Sequence, residues 1–122
     1  MTAIEAIAIG IAVGAVAETA ALLLDLWRYR SPLYRVLNVL LVFGVVMGAV
    51  ATLTPTLGIA AVFAIAFAIG LAYEAANLAW LDWWRFPDDR LGPIRGAAAC
   101  AAAIAVAWGA TPLLITTVAA AL

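Results

Sequence analysis

Four long apolar runs dominate this chain and restrict it to a membrane fold. They cover residues 4–27, 36–53, 57–84 and 94–119. Each is close to or above the ~20 residues that a helix needs to cross a ~30 Å hydrocarbon core. Only helices and closed barrels satisfy the backbone in lipid, and the runs lack the alternation of strands. The sequence therefore predicts an all-α integral membrane protein with four transmembrane helices in a single membrane domain, residues 1–122.

The composition agrees with a membrane protein and argues against several classes of function. Hydrophobic residues make up 69% of the chain and charged residues only 11%, too few for the surface of a soluble domain. The absence of His excludes His-ligated metal or haem sites and His-based acid–base chemistry. A net charge of −1 argues against a nucleic acid partner. We expect no cofactor and no metal, and the lack of a phosphate loop or nucleophile elbow does not favour an enzyme.

The basic residues predict how the chain is oriented in the membrane. All six are arginines, and they flank the first and third loops: Arg28, Arg30, Arg35, Arg85, Arg90 and Arg95. The middle loop, residues 54–58, has none. Cytoplasmic loops carry the excess of Lys and Arg in membrane proteins. We therefore predict that loops one and three are cytoplasmic and both termini outside, in an inner or plasma membrane.

A carboxylate occurs inside each of two apolar runs, which makes both residues candidates for a functional site. Glu18 lies in the first run and Glu74 in the third. Ionisable residues inside membrane helices are expensive and generally functional. Each continues a stripe of small residues at four-residue spacing, Gly10 and Gly14 before Glu18, and such stripes let helices approach closely. We expect both carboxylates to face the interior of the bundle.

The two glutamates belong to a pattern that predicts an internal repeat. Glu18 and Glu74 are 56 positions apart, whereas Asp25 and Asp82 are 57 apart, as are the Trp-Arg pairs that follow them. One residue is thus inserted after Glu74. The pattern predicts two helical hairpins, residues 4–56 and 60–113. Because the first and third helices would cross the membrane in the same direction, the hairpins would form a parallel repeat.

Spacing places both glutamates near the middle of the bilayer. Glu18 lies nine residues before Trp27, about 13.5 Å along a continuous helix, against about 15 Å for half the hydrocarbon core. Its nearest basic residue on that helix, Arg28, is too far along to pair with it directly. We expect each carboxylate to carry a proton, share one, bind a cation or accept hydrogen bonds from polar neighbours.

Two asparagines are candidate auxiliaries to the glutamates. Asn77 follows Glu74 by three residues, so the two side chains share a helix face, and it could donate to Glu74 or to a ligand. Its counterpart in the first repeat is Ala21, which makes this part of the predicted site asymmetric. Asn38, near the start of the second helix, is a possible further residue of the site, with capping or interface solvation as the alternative.

Two limited resemblances bear on function. A four-helix chain with Glu18 in its first helix resembles the small multidrug-resistance exporters in size and in that carboxylate. It departs from them in three ways. It has a second glutamate, its second half lacks their sequence pattern, and its arginines are concentrated in two loops. The segment of residues 84–96, WRFPDDRLGPIRG, follows a membrane glutamate and resembles segments of membrane carotenoid-modifying cyclases and hydratases, without the paired glutamates expected of the cyclases.

The sequence leaves three hypotheses of function. The first is a small transporter or channel-like protein in which Glu18 and Glu74 bind a proton, a cation or a cationic substrate, with Asn77 as auxiliary. The second is an enzyme or binder of an isoprenoid or carotenoid-type lipid, with a carboxyl as general acid. The third is a structural subunit of a larger membrane complex, in which the glutamates form a clasp. We expect the partners to be the lipid bilayer and either a second copy of the chain or other membrane subunits.

Overall fold

The structure is a computed structural model. It describes residues 1–86 and 93–122, although of residues 93–99 only the backbone. The predicted loop arginine Arg90 and the side chain of Arg95 lie outside the described residues.

Four long helices confirm the predicted spans. They are Ala3–Leu23, Pro32–Ala51, Ile59–Leu81 and Pro93–Ala121, which we call the first to fourth helices. Each is long and apolar enough to cross a membrane, the fourth over Cys100–Ala121. The first helix ends four residues earlier than its apolar run and the second begins four residues earlier.

Local chemistry explains where these helices begin and end. Thr2 caps the first helix by accepting from the backbone N–H of Glu5, whose carboxylate accepts from the N–H of Thr2 in return. Ser31 caps the second helix, with a proline in its first turn. After the first and third helices, Asp25 and Asp82 adopt φ angles of 51° and 48°. This left-handed conformation turns the chain away from the helix axis, as a C-terminal glycine does elsewhere.

The second and third helices contain π-helical segments. These are Asn38–Met47 and Asn77–Leu81, and both begin at an asparagine. A π-turn holds more residues than an α-turn, is rare in proteins and is frequent at functional sites. The first segment fills the middle of the second helix, whereas the second forms the last turn of the third helix.

A two-stranded antiparallel ribbon joins the loops that follow the first and third helices. Arg28–Tyr29 forms β1 and Trp84–Arg85 forms β2, with Arg28 opposite Arg85 and Tyr29 opposite Trp84. The N–H of Arg30 extends the pairing by donating to the carbonyl of Trp83 at 2.9 Å. The sequence analysis took these residues as helix ends and loop, and the two strands of two residues each leave the protein mostly helical, in agreement with the all-α prediction.

The small-residue stripes lie on the buried faces of the first and third helices. A Cβ added to Gly10 would overlap the backbone of Phe43, and one added to Gly14 would lie 2.6 Å from the Phe43 side chain. Similarly, a Cβ on Gly70 would overlap Trp108. The first helix therefore packs closely on the second, and the third on the fourth.

Candidate functional site

Glu18 is buried but closer to a helix end than the spacing predicted. Only 3% of its surface is exposed, and it lies five residues before the end of the first helix, about 7.5 Å along the axis. The continuous helix to Trp27 on which the predicted depth depends is absent, because the helix ends at Leu23 and the chain turns at Asp25; the depth in the membrane stays a prediction. Trp27 thereby returns to Glu18 instead of lying a half-membrane away.

Three donors surround the carboxylate of Glu18. The Trp27 indole Nε1 donates to Oε2 at 3.1 Å. The Tyr29 hydroxyl and the Asn38 amide donate to Oε1 at 2.6 and 2.7 Å. Burial, with the charge of Glu18 adding to it, raises the pKa of Tyr29 well above its usual range, so this hydroxyl keeps the proton that it donates. A carboxylate that only accepts is in the environment of an anion.

Arg35 supplies a counter-charge that the sequence analysis did not find. Its Nε lies 3.6 Å from Glu18 Oε2, and its guanidinium lies 5.1 Å from the ring centre of Tyr29. The expectation that Glu18 lacks a nearby cation considered only its own helix and was wrong, because Arg35 reaches it from the second helix. The signal was Asn38, which lies three residues after Arg35 and so shares its helix face.

Glu74 has different surroundings. It is 1% exposed and accepts from two indoles, Trp84 Nε1 at 3.3 Å and Trp108 Nε1 at 3.1 Å. Among the described residues no Arg forms an ion pair with it. The Trp84 side chain is itself buried, with 4% of its surface exposed. The second carboxylate therefore lies in an aromatic cage without a counter-charge from the described chain.

The two carboxylates are joined through Asn38 and Tyr73 and make no hydrogen bond to each other in the described structure. The Tyr73 hydroxyl donates to Asn38 Oδ1 at 2.9 Å, and Asn38 in turn donates to Glu18. The Tyr73 ring lies 4.8 Å from that of Trp84 and 5.9 Å from that of Trp108, the two donors to Glu74. Asn38 thus connects Tyr73 to Glu18, and its place in a functional site stays a prediction.

Asn77 serves a different purpose from the predicted one. Its amide Nδ2 donates to the carbonyl of Trp84 at 2.9 Å, and its Oδ1 accepts from the backbone N–H groups of Trp83 and Trp84. It is fully buried and makes no described hydrogen bond to Glu74. Asn77 therefore holds β2 in place, and through it the Trp84 indole.

A cavity of about 300 Å³ lies between the two glutamates. Both carboxylates line it together with Asn38 and five aromatic rings, those of Trp27, Tyr29, Phe43, Trp84 and Trp108. Three of its lining residues, Leu26, Ala103 and Ala107, are exposed and mark its opening beside the fourth helix. Elsewhere in the described chain, no three His, Cys, Asp or Glu side chains are close enough to hold a metal ion.

Outside the spans, the two turns after the first and third helices are alike. Arg28 binds Asp25 through two hydrogen bonds of 2.8 and 2.6 Å, and Arg85 binds Asp82 through two of 2.9 and 2.8 Å. Each arginine holds the pKa of its aspartate below the ordinary range. Each aspartate thus holds the arginine three residues later within its turn.

Comparison with known proteins adds no assignment, since no protein-family model, curated protein or solved structure matches the chain.

Proposed function

We propose that this chain is a small membrane transporter that binds a small lipophilic cation in the cavity between Glu18 and Glu74. The observation that carries the proposal is the cavity itself, which two buried carboxylates and five aromatic rings line. Aromatic faces attract cations, and a carboxylate in a dry site attracts them more strongly. A volume of about 300 Å³ is at the lower end of small-molecule sites, so the cation would be small.

Glu74 is the carboxylate that would exchange its partner. Glu18 already has Arg35 and three hydrogen-bond donors, whereas Glu74 has two neutral indoles. A buried carboxylate without a counter-charge is stabilised by a proton or by a bound cation. Alternation between these two states at Glu74 would couple proton and cation binding, and Tyr73 and Asn38 would transmit the change towards Glu18.

The opening of the cavity favours a lipophilic substrate. Ala103 and Ala107 lie in the membrane-length part of the fourth helix, so the opening faces the apolar surface of the bundle. Towards the other end, the fully buried Met47, Val62 and Ile115 separate this cavity from a second one of about 540 Å³ beside Glu5. Transport would require this apolar layer to open.

Matched geometry in the two halves supports the proposed parallel repeat. Trp27 donates to Glu18 as Trp84 donates to Glu74, and the left-handed Asp25 and Asp82 bind equivalent arginines. In the ribbon, Arg28 pairs with its own equivalent, Arg85, as a local two-fold axis requires. The cytoplasmic location of this end and a homodimer remain predictions. Chemical labelling of the single Cys100 and cross-linking in vesicles would test them.

An isoprenoid-directed enzyme is the second candidate, because Glu74 lies in an apolar aromatic cage where a protonated carboxyl can act on an alkene. The cavity volume limits such a substrate to a small isoprenoid. Co-purified lipid or pigment would favour this reading. The structural-subunit hypothesis requires a hydrogen bond between Glu18 and Glu74, but in the described structure each accepts from separate donors.

Transport by purified protein in liposomes would test the proposal. Tetraethylammonium, Na⁺ and K⁺ would be the cations, and release of protons would be followed with an internal pH dye. We expect the Glu74→Gln variant to lose at least about tenfold in the cation-dependent signal, because the charge that pairs with the cation is removed. Glu5→Gln is the matched control, as Glu5 lies at an exposed helix start. Equal signals from Glu74→Gln and wild type, or none from wild type, would contradict transport.

A further inference from the structure

Arg35 has hydrogen-bonding capacity that the protein does not use. A guanidinium carries five N–H donors. The Nε of Arg35 is buried beside Glu18 and has no hydrogen-bond partner in the described structure, because the 3.6 Å to Glu18 exceeds hydrogen-bond length. The nearby Glu18 oxygens already accept from three other side chains. The side chain is 25% exposed and lines a groove, so its terminal Nη groups are the donors that a ligand there can use.

A groove runs along the outside of the bundle beside Arg35. It has a volume of about 290 Å³, lies between the first and second helices, and is separate from the opening beside the fourth helix. Apolar side chains form most of its wall, with Thr19 and the Glu18–Arg35 pair at the polar part: Leu22, Val36, Val39 and Leu40. These apolar residues belong to helices of membrane length, so the groove faces lipid tails.

Position and charge select the occupant of this groove. Arg35 is the fourth residue of the second helix, about 4.5 Å along it and therefore near the depth of lipid headgroups. At the same end Arg28, Arg30 and Arg85 each bind an aspartate within 3.1 Å. Arg35 thus combines a planar donor group with an apolar groove long enough for hydrocarbon.

We propose that this groove is a phospholipid site in which Arg35 binds the phosphate and the groove binds an acyl chain. The planar guanidinium matches two phosphate oxygens, which Lys cannot reproduce. The phosphate would accept from Arg35, while Glu18 keeps its three donors. The groove shares Glu18 with the cavity but none of its other lining residues, and the proposed lipid site does not depend on cation transport.

Lipid-dependent stabilisation of delipidated protein in detergent would test the site. The probes are dioleoyl phosphatidylglycerol, a neutral galactosyl diacylglycerol with the same chains, and inorganic phosphate. We expect phosphatidylglycerol to raise the Tm of the wild type, and the apparent Kd to weaken roughly tenfold or more in Arg35→Gln. Arg30→Gln is the control, because Arg30 is exposed and lies outside the groove; it should bind as wild type does.

Arg35→Lys keeps the charge beside Glu18 and provides a folded variant if Arg35→Gln is unstable. We expect its affinity for phosphatidylglycerol to fall several-fold. Equal stabilisation by the galactolipid would overturn the proposal by showing that only the acyl chains bind. Equal stabilisation by inorganic phosphate would overturn the lipid as occupant, and so would an unchanged Kd in both Arg35 variants. None of these outcomes bears on transport through Glu74.

Discussion

Glu18 and Glu74 correspond to each other in the proposed repeat, yet their surroundings differ. Both are buried and both accept from an indole that follows the helix, Trp27 directly before β1 and Trp84 within β2. Around Glu18 the remaining partners are a hydroxyl, an amide and a guanidinium. Around Glu74 the remaining donor is a second indole. The position in the helix therefore sets the burial of a carboxylate, while side chains from other elements set its hydrogen-bond and ion-pair partners.

The sequence shows how this difference arises. With the offset of 57 residues, Tyr29 corresponds to Phe86 and Arg35 to Gly92, whereas Trp108 corresponds to Ala51. The first half has a hydroxyl and a cation where the second has neither. Two halves with the same turn and ribbon therefore give their glutamates different hydrogen-bond donors in the described structure.

Removing the carboxylate of Glu18 should destabilise the protein more than removing that of Glu74. Glu18→Gln leaves the guanidinium of Arg35 without its counter-charge, which we expect to cost about 2 kcal/mol after allowance for the partial exposure of Arg35. Glu74→Gln breaks no ion pair of the described chain and should cost about 1 kcal/mol or less. Unfolding in detergent by denaturant would measure both.

A double-mutant cycle is the control for this comparison. Glu18→Gln combined with Arg35→Gln should lose much less than the sum of the single changes, because no charge is then left alone. Additive losses would mean that Glu18 and Arg35 do not interact, and the two halves would be electrostatically alike.

Substitutions at the close helix contacts should distinguish the effects of packing from effects on the candidate site. Gly70→Ala places a methyl group into Trp108, and Gly14→Ala places one against Phe43. We expect each to destabilise the protein by about 1–2 kcal/mol, the overpacking exceeding the gain in helix propensity. Only Gly70→Ala should alter the fluorescence of the indole that donates to Glu74. Ala64→Val, at an exposed position of the same helix, should change neither property.

Removing one hydroxyl should make the first half resemble the second. Tyr29→Phe deletes the 2.6 Å hydrogen bond to Glu18, while the ring can still face Arg35. We expect a loss of about 1 kcal/mol, since Asn38 and Trp27 continue to donate. The unfolding free energy of Tyr73→Phe provides the comparison, because that hydroxyl reaches Glu18 only through Asn38. If Tyr73→Phe loses more unfolding free energy than Tyr29→Phe, the hydrogen bond to Asn38 contributes more to stability than the hydrogen bond from Tyr29 to Glu18.

The smallest effects should come from the turns, where the two halves are alike. The lowered pKa of Asp25 and Asp82 gives stability that is fully present above their ordinary pKa of about 3.8 and is lost as the pH falls below it. Asn keeps the left-handed conformation without the charge. Asp25→Asn and Asp82→Asn should therefore each reduce the drop in Tm between pH 5 and pH 3. Asp82→Asn should do so slightly more, because Asp82 also binds Arg30. If the Tm of both variants falls as much between pH 5 and pH 3 as that of the wild type, the ion pairs are excluded as a source of stability.

Hydropathy alone predicted the four helices, and the small-residue stripes predicted that both glutamates are buried. These patterns succeed because they depend on one helix at a time. The partners of Glu18 could not be predicted in that way. Arg35 reaches it only with a particular rotation of the second helix, and Trp27 reaches it only because Asp25 turns the chain back.

Asn77 illustrates a different limit of sequence analysis. Its spacing from Glu74 correctly gave a shared helix face, but an amide on that face can bind either a side chain or a backbone. In the structure Asn77 binds the backbone of the ribbon. The pairing of that ribbon depends on residues from two separate loops. A repeated Asp-x-Trp-Arg motif was the visible signal that these loops have a common shape.

The π-turn at Asn77–Leu81 lies where the second half carries its extra residue, between the offset of 56 at Glu74 and of 57 at Asp82. A wider turn holds one more residue without rotating the helix that precedes it. In the proposed repeat, this turn accommodates the extra residue while the glutamate face keeps its direction and Asp82 keeps its place beside the ribbon. The number of residues in this turn can thus differ between the halves without a change in the direction of Glu74 or the position of Asp82.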